Sequence, residues 1–198
     1  MRDAKRKLPA ERHGELLARA VAISQEEGLA AVTLRRVATD LGVTPGLVSH
    51  YFSSAELLIA AAFRTAAVAD LDAARARVAA TATPRAGVEA LMDYVLGEVS
   101  EEASALWLDA WSLGRRNATL AAEAKTLTDD WLAFIADLVR AGVAAGEFRV
   151  ADVAATARRL LILIDGLGAQ KVIRAGAGDE IRHIAHSYAS AELGSDAR

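Results

Sequence analysis

The sequence predicts an all-α protein of about nine helices. Three observations predict it. Apolar residues recur at i, i+3, i+4 and i+7 along most of the chain, Gly and Pro number only 14 and 3 in 198 residues, and the helix formers Ala, Leu, Arg and Glu are abundant. No segment reads as a strand and no internal repeat is present. Hydrophobic residues make up 53% of the chain, which rules out disorder and allows a sizeable core.

The elements follow in order. Residues 1–9 read as a basic arm carrying Arg2, Lys5, Arg6 and Lys7, either a solvated tail or a segment that reaches a minor groove. Glu11 to Glu27 is the first helix, with Leu16, Leu17, Ala20, Val21 and Ile23 on its apolar face and Gly28 as its stop. Thr33 caps a second helix whose apolar face is Leu34, Val37, Ala38 and Leu41, and Gly42 fits the left-handed position beyond its end. Thr44 and Pro45 open a third helix; proline costs nothing at the first helical position. Val48 and Phe52 give that helix a buried side, while Pro45, Gly46, Leu47, Ser49, His50 and Tyr51 face outward. Two short helices joined by a glycine turn form a helix-turn-helix, whose second helix fits the DNA major groove, although an ordinary helical corner has the same spacing.

Ser53-Ser54-Ala55-Glu56 reads as a capping box, with Ser53 at the cap and Glu56 three residues on. It opens a long fourth helix to about Ala82, alanine-rich between residues 60 and 80. Thr83-Pro84 starts the fifth, with Val88, Leu91, Met92, Val95, Leu96 and Val99 on one stripe. A short helix over Ser104–Arg115 places Trp107 and Trp111 one turn apart. The next runs from Ala118 to Ala145 with Leu127, Trp131, Phe134, Ile135 and Leu138 inward, and Gly142, Gly146 and Phe148-Arg149-Val150 turn the chain. Asp152 to about Gly176 contains Leu160-Leu161-Ile162-Leu163-Ile164, apolar all round, so this helix needs cover on more than one side. A second subunit is the expected cover. Leu160, Leu163 and Leu167, with Ile181, Ile184 and Tyr188 of a last helix opened by Gly178, are the expected homodimer interface. Ser195–Arg198 is a frayed end.

The order of residues is more specific than their spacing. Thr33-Leu34-Arg35-x-Val37-Ala38-x-x-Leu41-Gly42-Val43-Thr44-Pro45-Gly46-Leu47-Val48-Ser49-His50-Tyr51-Phe52, followed by Ser53-Ser54-x-Glu56-Leu57-Leu58, resembles the DNA-binding signature of the tetracycline-repressor (TetR) family of bacterial transcriptional regulators. The resemblance is strong over about residues 10–64 and architectural beyond. It implies a DNA-binding domain over residues 1–53, a connecting helix from about residue 54, and a ligand-sensing and dimerisation domain over 54–198. It further implies that Thr33 contacts a phosphate, that Arg35 sits at the rim of the groove, and that Thr44, Pro45, Gly46, Leu47, Ser49, His50 and Tyr51 face DNA. The third helix carries no Arg, Lys, Asn or Gln, so base reading must lean on Arg35, thymine methyls and DNA shape. The family usually has a lysine at the position of Ala55, where it holds a phosphate; alanine cannot.

Net charge is −3, but its distribution is uneven. Residues 1–64 hold nine Lys/Arg against seven Asp/Glu, a net of +2, and the remainder is net −5. There is no cysteine, which excludes disulfides, thiol catalysis and cysteine-ligated zinc and suits the cytoplasm. The basic start lacks the apolar run of a signal peptide, and no window is long and apolar enough to span a membrane.

All three tryptophans lie in the acidic body. Residues 106–170 resemble the body of the choline-responsive betaine regulators within the family. Tyr94, Trp107, Trp111 and Trp131 are therefore the candidate effector residues, for an organic cation held by cation–π contacts beside an acid such as Asp109, or for a flat apolar molecule. Plain core packing of the tryptophans is the competing reading. Asp165, inside Leu163-Ile164-Asp165-Gly166-Leu167, needs a partner if buried, either another helix or a ligand. His183 and His186 have metal-compatible spacing but no evident third ligand, so no metal is expected. No catalytic residue or cofactor is expected either, since no phosphate loop or nucleophile motif occurs. The reading is a repressor released from its operator by a small molecule. An interaction protein with decayed DNA binding, or a helical enzyme using the body, are the alternatives.

Overall fold

The computed structural model describes residues 8–97, 101–174 and 178–194. Among them are nine α-helices and no strand: α1 Pro9–Glu27, α2 Leu34–Asp40, α3 Pro45–Tyr51, α4 Ala55–Ala79, α5 Pro84–Val95, α6 Glu101–Gly114, α7 Ala118–Ala144, α8 Val153–Ile173 and α9 Gly178–Glu192, with one 3₁₀ turn at Leu29–Ala31. All three prolines of the chain are the first residue of a helix, where a missing N–H leaves no bond unmade. Thr33, Thr44, Thr83 and Asp152 cap α2, α3, α5 and α8 by accepting the N–H three residues on, each worth about 1 kcal/mol. Gly42, at φ 63°, lets the N–H of Val43 reach the carbonyl of Ala38 at 2.9 Å and closes the α2–α3 turn.

Several boundaries differ from expectation for identifiable reasons. The Leu8 N–H bonds the Glu11 carboxylate at 3.0 Å, so α1 begins at Pro9, not Glu11. The cap of α4 is Ser54, which accepts from the Leu57 N–H at 3.2 Å, one residue later than the expected Ser53–Glu56 box. Glu56 instead sits in the first turn, where its own backbone N–H and the Ser54 hydroxyl hold its carboxyl below the usual range. Helix α4 ends at Ala79 rather than Ala82, and α8 at Ile173 rather than Gly176. Helix α5 ends at Val95; Val99, the basic arm through Lys7 and the terminal Ser195–Arg198 lie outside the described residues.

The chain forms two compact units. One takes in the described residues up to Ala66 together with Asp109–Ala124. Its core is Leu16, Ala20, Ile23, Val32, Val37, Ala38, Val48, Phe52, Leu58 and Ala62, so each short helix is held by the side it buries. His13 stacks on Phe52 with ring centroids 4.8 Å apart. Asn117 spans two elements, its amide Nδ2 donating to the Glu56 carbonyl at 3.2 Å while its Oδ1 accepts from Leu120 at 3.0 Å. The other unit takes in Ala67–Leu108 and the described residues from Lys125 onward. Leu71, Leu91, Met92, Leu96, Ile135, Val139, Leu160, Ile181 and Ala185 are central to its core. Gly142 of α7 lies against the Phe148 ring, and its carbonyl accepts from both Glu147 and Phe148.

Candidate DNA interface and effector residues

Helix α3 buries Val48 and, just beyond its end, Phe52, and turns the rest of its surface to solvent. Thr44, Pro45, Gly46, Ser49 and His50 are exposed, and Leu47 and Tyr51 are half-buried. The Thr33 and Thr44 oxygens accept capping bonds from Arg36 at 3.0 Å and Leu47 at 3.3 Å, which leaves each hydroxyl hydrogen able to meet a phosphate. Ser49 spends its hydrogen on the Gly46 carbonyl at 3.1 Å and offers lone pairs outward. The Tyr51 ring meets His50 edge-on at 5.2 Å.

The charges behind this face are mostly committed. Arg19 bonds Asp40 at 2.7 Å, and Arg36 bonds both Glu27, at 2.6 Å, and Asp40, at 3.0 Å. Arg19 and then Arg36 hold the Asp40 carboxyl below its usual range. Arg12 is paired with Glu15, and Arg64 with Glu123 at 2.7 Å. Among the described residues up to position 64, Arg35 alone has a guanidinium with no carboxylate partner, and it is exposed.

The structure divides the candidate effector residues. Trp131 belongs to the buried apolar cluster of the second unit, and Tyr94, Trp107 and Phe134 pack against that cluster. Trp131 is 5% exposed, meets Phe134 at 6.1 Å, and its buried Nε1–H has no acceptor among the described residues. Trp107 and Trp111 share α6, but Trp111 is 40% exposed and belongs to the other compact unit. Asp109, expected beside a ligand cation, is used elsewhere: its Oδ2 accepts from the Leu29 N–H at 2.8 Å. Gly28 makes room for it at φ 87°, since a Cβ there would lie 2.7 Å from that oxygen. Sequence reasoning missed Asp70 of α4, whose Oδ1 accepts from the Tyr94 hydroxyl at 2.8 Å. A signal existed: Asp70 lies three residues after buried Ala67 and four before buried Ala74, on the apolar face of α4.

The expected dimer residues also divide. Leu160 and Ile181 are only 1% and 2% exposed because α5, α8 and α9 of the same chain already cover them. Both are expected at the dimer interface, and both are already buried within their own chain. Leu163 and Leu167 are half-buried, Ile184 and Tyr188 exposed, and the largest apolar exposure in the 160–164 run falls on Ile162, at 63%. His186 bonds Asp93 at 2.7 Å, and no metal-holding group of His, Cys, Asp and Glu occurs among the described residues.

Residues 16–70 match the family described as bacterial regulatory proteins, tetR family, and residues 81–194 match the BetI-type transcriptional repressor, C-terminal. The chain belongs to the TetR family. It is a DNA-binding transcriptional regulator. It is 28% identical over 187 residues to the HTH-type transcriptional regulator BetI 2 of Chromohalobacter salexigens, covering 89% of this chain and 86% of that one. The BetI regulator of Rhizobium meliloti is 34% identical over 108 residues, about half of each chain. In three dimensions the fold is similar to a transcriptional regulator from Saccharomonospora viridis in complex with choline, with a TM-score of 0.79, 24% identity and coverage of 90% and 95% of the two chains. A TetR-family regulator from a Rhodococcus species gives a TM-score of 0.76 at 21% identity, covering 93% of this chain and 99% of that one.

Two features depart from expectation, one from the family pattern and one from the rule that a buried acid is paired. Ala55 stands where a phosphate-holding lysine is usual, and neither Arg36 nor Arg64 stands free to replace it. Ala55→Lys is expected to raise affinity for any duplex and to steepen the plot of log affinity against log salt by about one unit. Fluorescence anisotropy at several salt concentrations measures this, and an unchanged slope would mean that position 55 does not reach the backbone. Asp165 has no partner among the described residues, against the expectation of one, and burial pushes its carboxyl up to about 6. Because that lies above the ordinary value of 3.8, the folded chain retains a proton that the unfolded chain releases as pH rises. The cost to stability therefore grows from about pH 4 and is complete above about pH 6. Asp165→Asn should raise Tm at pH 7.5 and leave it unchanged below about pH 4; equal melting curves at neutral pH would contradict this.

Proposed function

We propose that this TetR-family protein is a homodimeric repressor that leaves its operator when an organic cation binds the body. It acts by binding rather than by catalysis, in the cytoplasm. Residues 1–53 form the DNA-binding domain, with α4 as the connection and residues 54–198 as the sensing and dimerisation part. The observation that carries the reading is the two-sidedness of α3: Val48 is fully buried, while Thr44, Pro45, Gly46, Ser49 and His50 stand in solvent with no protein covering them. Thr33 flanks that surface and contacts a phosphate, Arg35 sits at the rim of the groove, and Leu47 and Tyr51 complete the surface. Two such helices, related by the dimer axis, read half-sites about 34–36 Å apart or a multiple of it. Leu163, Leu167, Ile184 and Tyr188 pair with their symmetry mates.

The Saccharomonospora viridis regulator was solved with choline, and the similarity to BetI-type repressors covers the body here. Both support a small organic cation as effector, with Tyr94, Trp107 and Trp131 around it and Trp111 on the same helix as Trp107. A flat apolar effector is the second reading, favoured by the apolar residues that these rings border.

The DNA half is tested with a near-palindromic duplex. Affinity should fall steeply as salt rises. His50→Ala and Tyr51→Ala should each weaken specific binding by roughly 10–100-fold, the equivalent of about 1–3 kcal/mol, with unchanged circular dichroism. Parent-like binding by both variants would remove α3 from the interface.

A further inference from the structure

We propose that Asp70 is the anionic contact for the ligand's ammonium group, and that it selects a cation over a neutral molecule of the same shape. This rests on the cationic-effector reading above. The carboxylate of Asp70 is half-buried, and the Tyr94 hydroxyl is its one hydrogen-bond donor among the described residues. An ionised carboxylate has about four lone-pair sites, so most of its capacity is unused. Among the described residues no lysine or arginine is paired with it: the nearby guanidinium of Arg77 lies 4.8 Å over the Tyr94 ring instead. Burial raises the carboxyl from its ordinary value, and the Tyr94 bond offsets only part of that rise. A withdrawn negative charge with no cation of its own is costly, and a bound cation removes the cost.

The surroundings narrow the cation's class. The carboxylate is bonded to the hydroxyl of one aromatic ring, Tyr94, which itself packs against the apolar cluster that contains Trp131. A magnesium or calcium ion held by one carboxylate and one phenol would have to bring most of its six or more oxygen ligands as water, which an apolar neighbourhood disfavours. An alkylated ammonium needs one counter-charge and an apolar shell; Asp70 would supply the first and the cluster beside Tyr94 the second. A flat hydrophobe would satisfy the shell and leave Asp70 uncompensated.

The test compares choline with dimethylbutanol, its uncharged carbon isostere, by calorimetry and by release of operator. The parent should bind choline roughly 10–100-fold more tightly than the isostere, the range of a charge-assisted contact. Asp70→Asn should bring that ratio to about one, whereas Tyr94→Phe, which keeps the charge, should preserve a preference for choline. A merely structural Asp70 would change both ligands alike and leave the ratio intact. Equal binding of the two compounds by the parent overturns the inference without any variant. If choline releases the operator from parent and Asp70→Asn with the same concentration dependence, Asp70 is wrong and the cationic-effector reading survives. If neither choline nor any other quaternary ammonium binds, both fall.

Discussion

Ile162→Glu should convert the proposed dimer to monomers and remove operator binding with it. Ile162 is 63% exposed on α8, so a glutamate there is solvated in the isolated chain and the fold survives. In a twofold interface the same substitution appears twice, and each carboxylate would be buried without a partner, at several kcal/mol apiece. A monomer then holds one half-site instead of two, which forfeits an avidity of about 10²–10⁴. Sedimentation at micromolar concentration and anisotropy on the operator read the two effects separately. A monomeric parent, or a variant that dimerises normally, would show that this face of α8 is not the interface.

Gly142→Ala should be among the most damaging single-methyl changes in the protein. A Cβ at Gly142 would lie 1.9 Å from a carbon of the Phe148 ring, and Phe148 is buried. The ring cannot retreat easily, because the Glu147 and Phe148 N–H groups both bond the Gly142 carbonyl, at 2.9 and 3.2 Å. Overpacking of this kind costs about 1–3 kcal/mol, or a fall in Tm of roughly 2–4 °C for each of those kcal/mol. Gly14→Ala is the matched control: nothing lies within 4 Å of a Cβ there, and alanine favours a helix, so Tm should hold or rise. Similar melting points for the two variants would contradict the crowding at Gly142.

The helices were legible because their signals are local. A threonine cap followed by proline, or a glycine at φ 63°, acts within a few residues of itself. The outward set on α3 was legible for the same reason, since Val48 and Phe52 settle which side is buried. What escaped depends on partners far along the chain. The bond from Leu29 to Asp109 joins residues 80 positions apart, and it takes away the acid expected to face a ligand. Asp70 finds Tyr94 across 24 positions, and Arg19 finds Asp40 across 21. Periodicity marked Leu160 and Ile181 as apolar but could not say which apolar surface would cover them. Their own chain does. Trp111 shares a helix with Trp107 at the expected spacing, yet its compact unit is different, because α6 contributes residues to both.

The paired arginines of α1 and α2 bear on how the regulator finds its operator. A chromosome offers about 10⁶–10⁹ competing sites, so the free concentration of such a protein is set by how long it lingers on the wrong ones. That lingering is almost wholly electrostatic. With Arg19 and Arg36 tied to Asp40, Glu26 and Glu27, two guanidiniums bring little attraction for arbitrary DNA. Each mistaken encounter should accordingly be shorter than it would be with both guanidiniums free. Fewer copies should then suffice to keep an operator occupied, and a smaller pool should be held in reserve on bulk DNA.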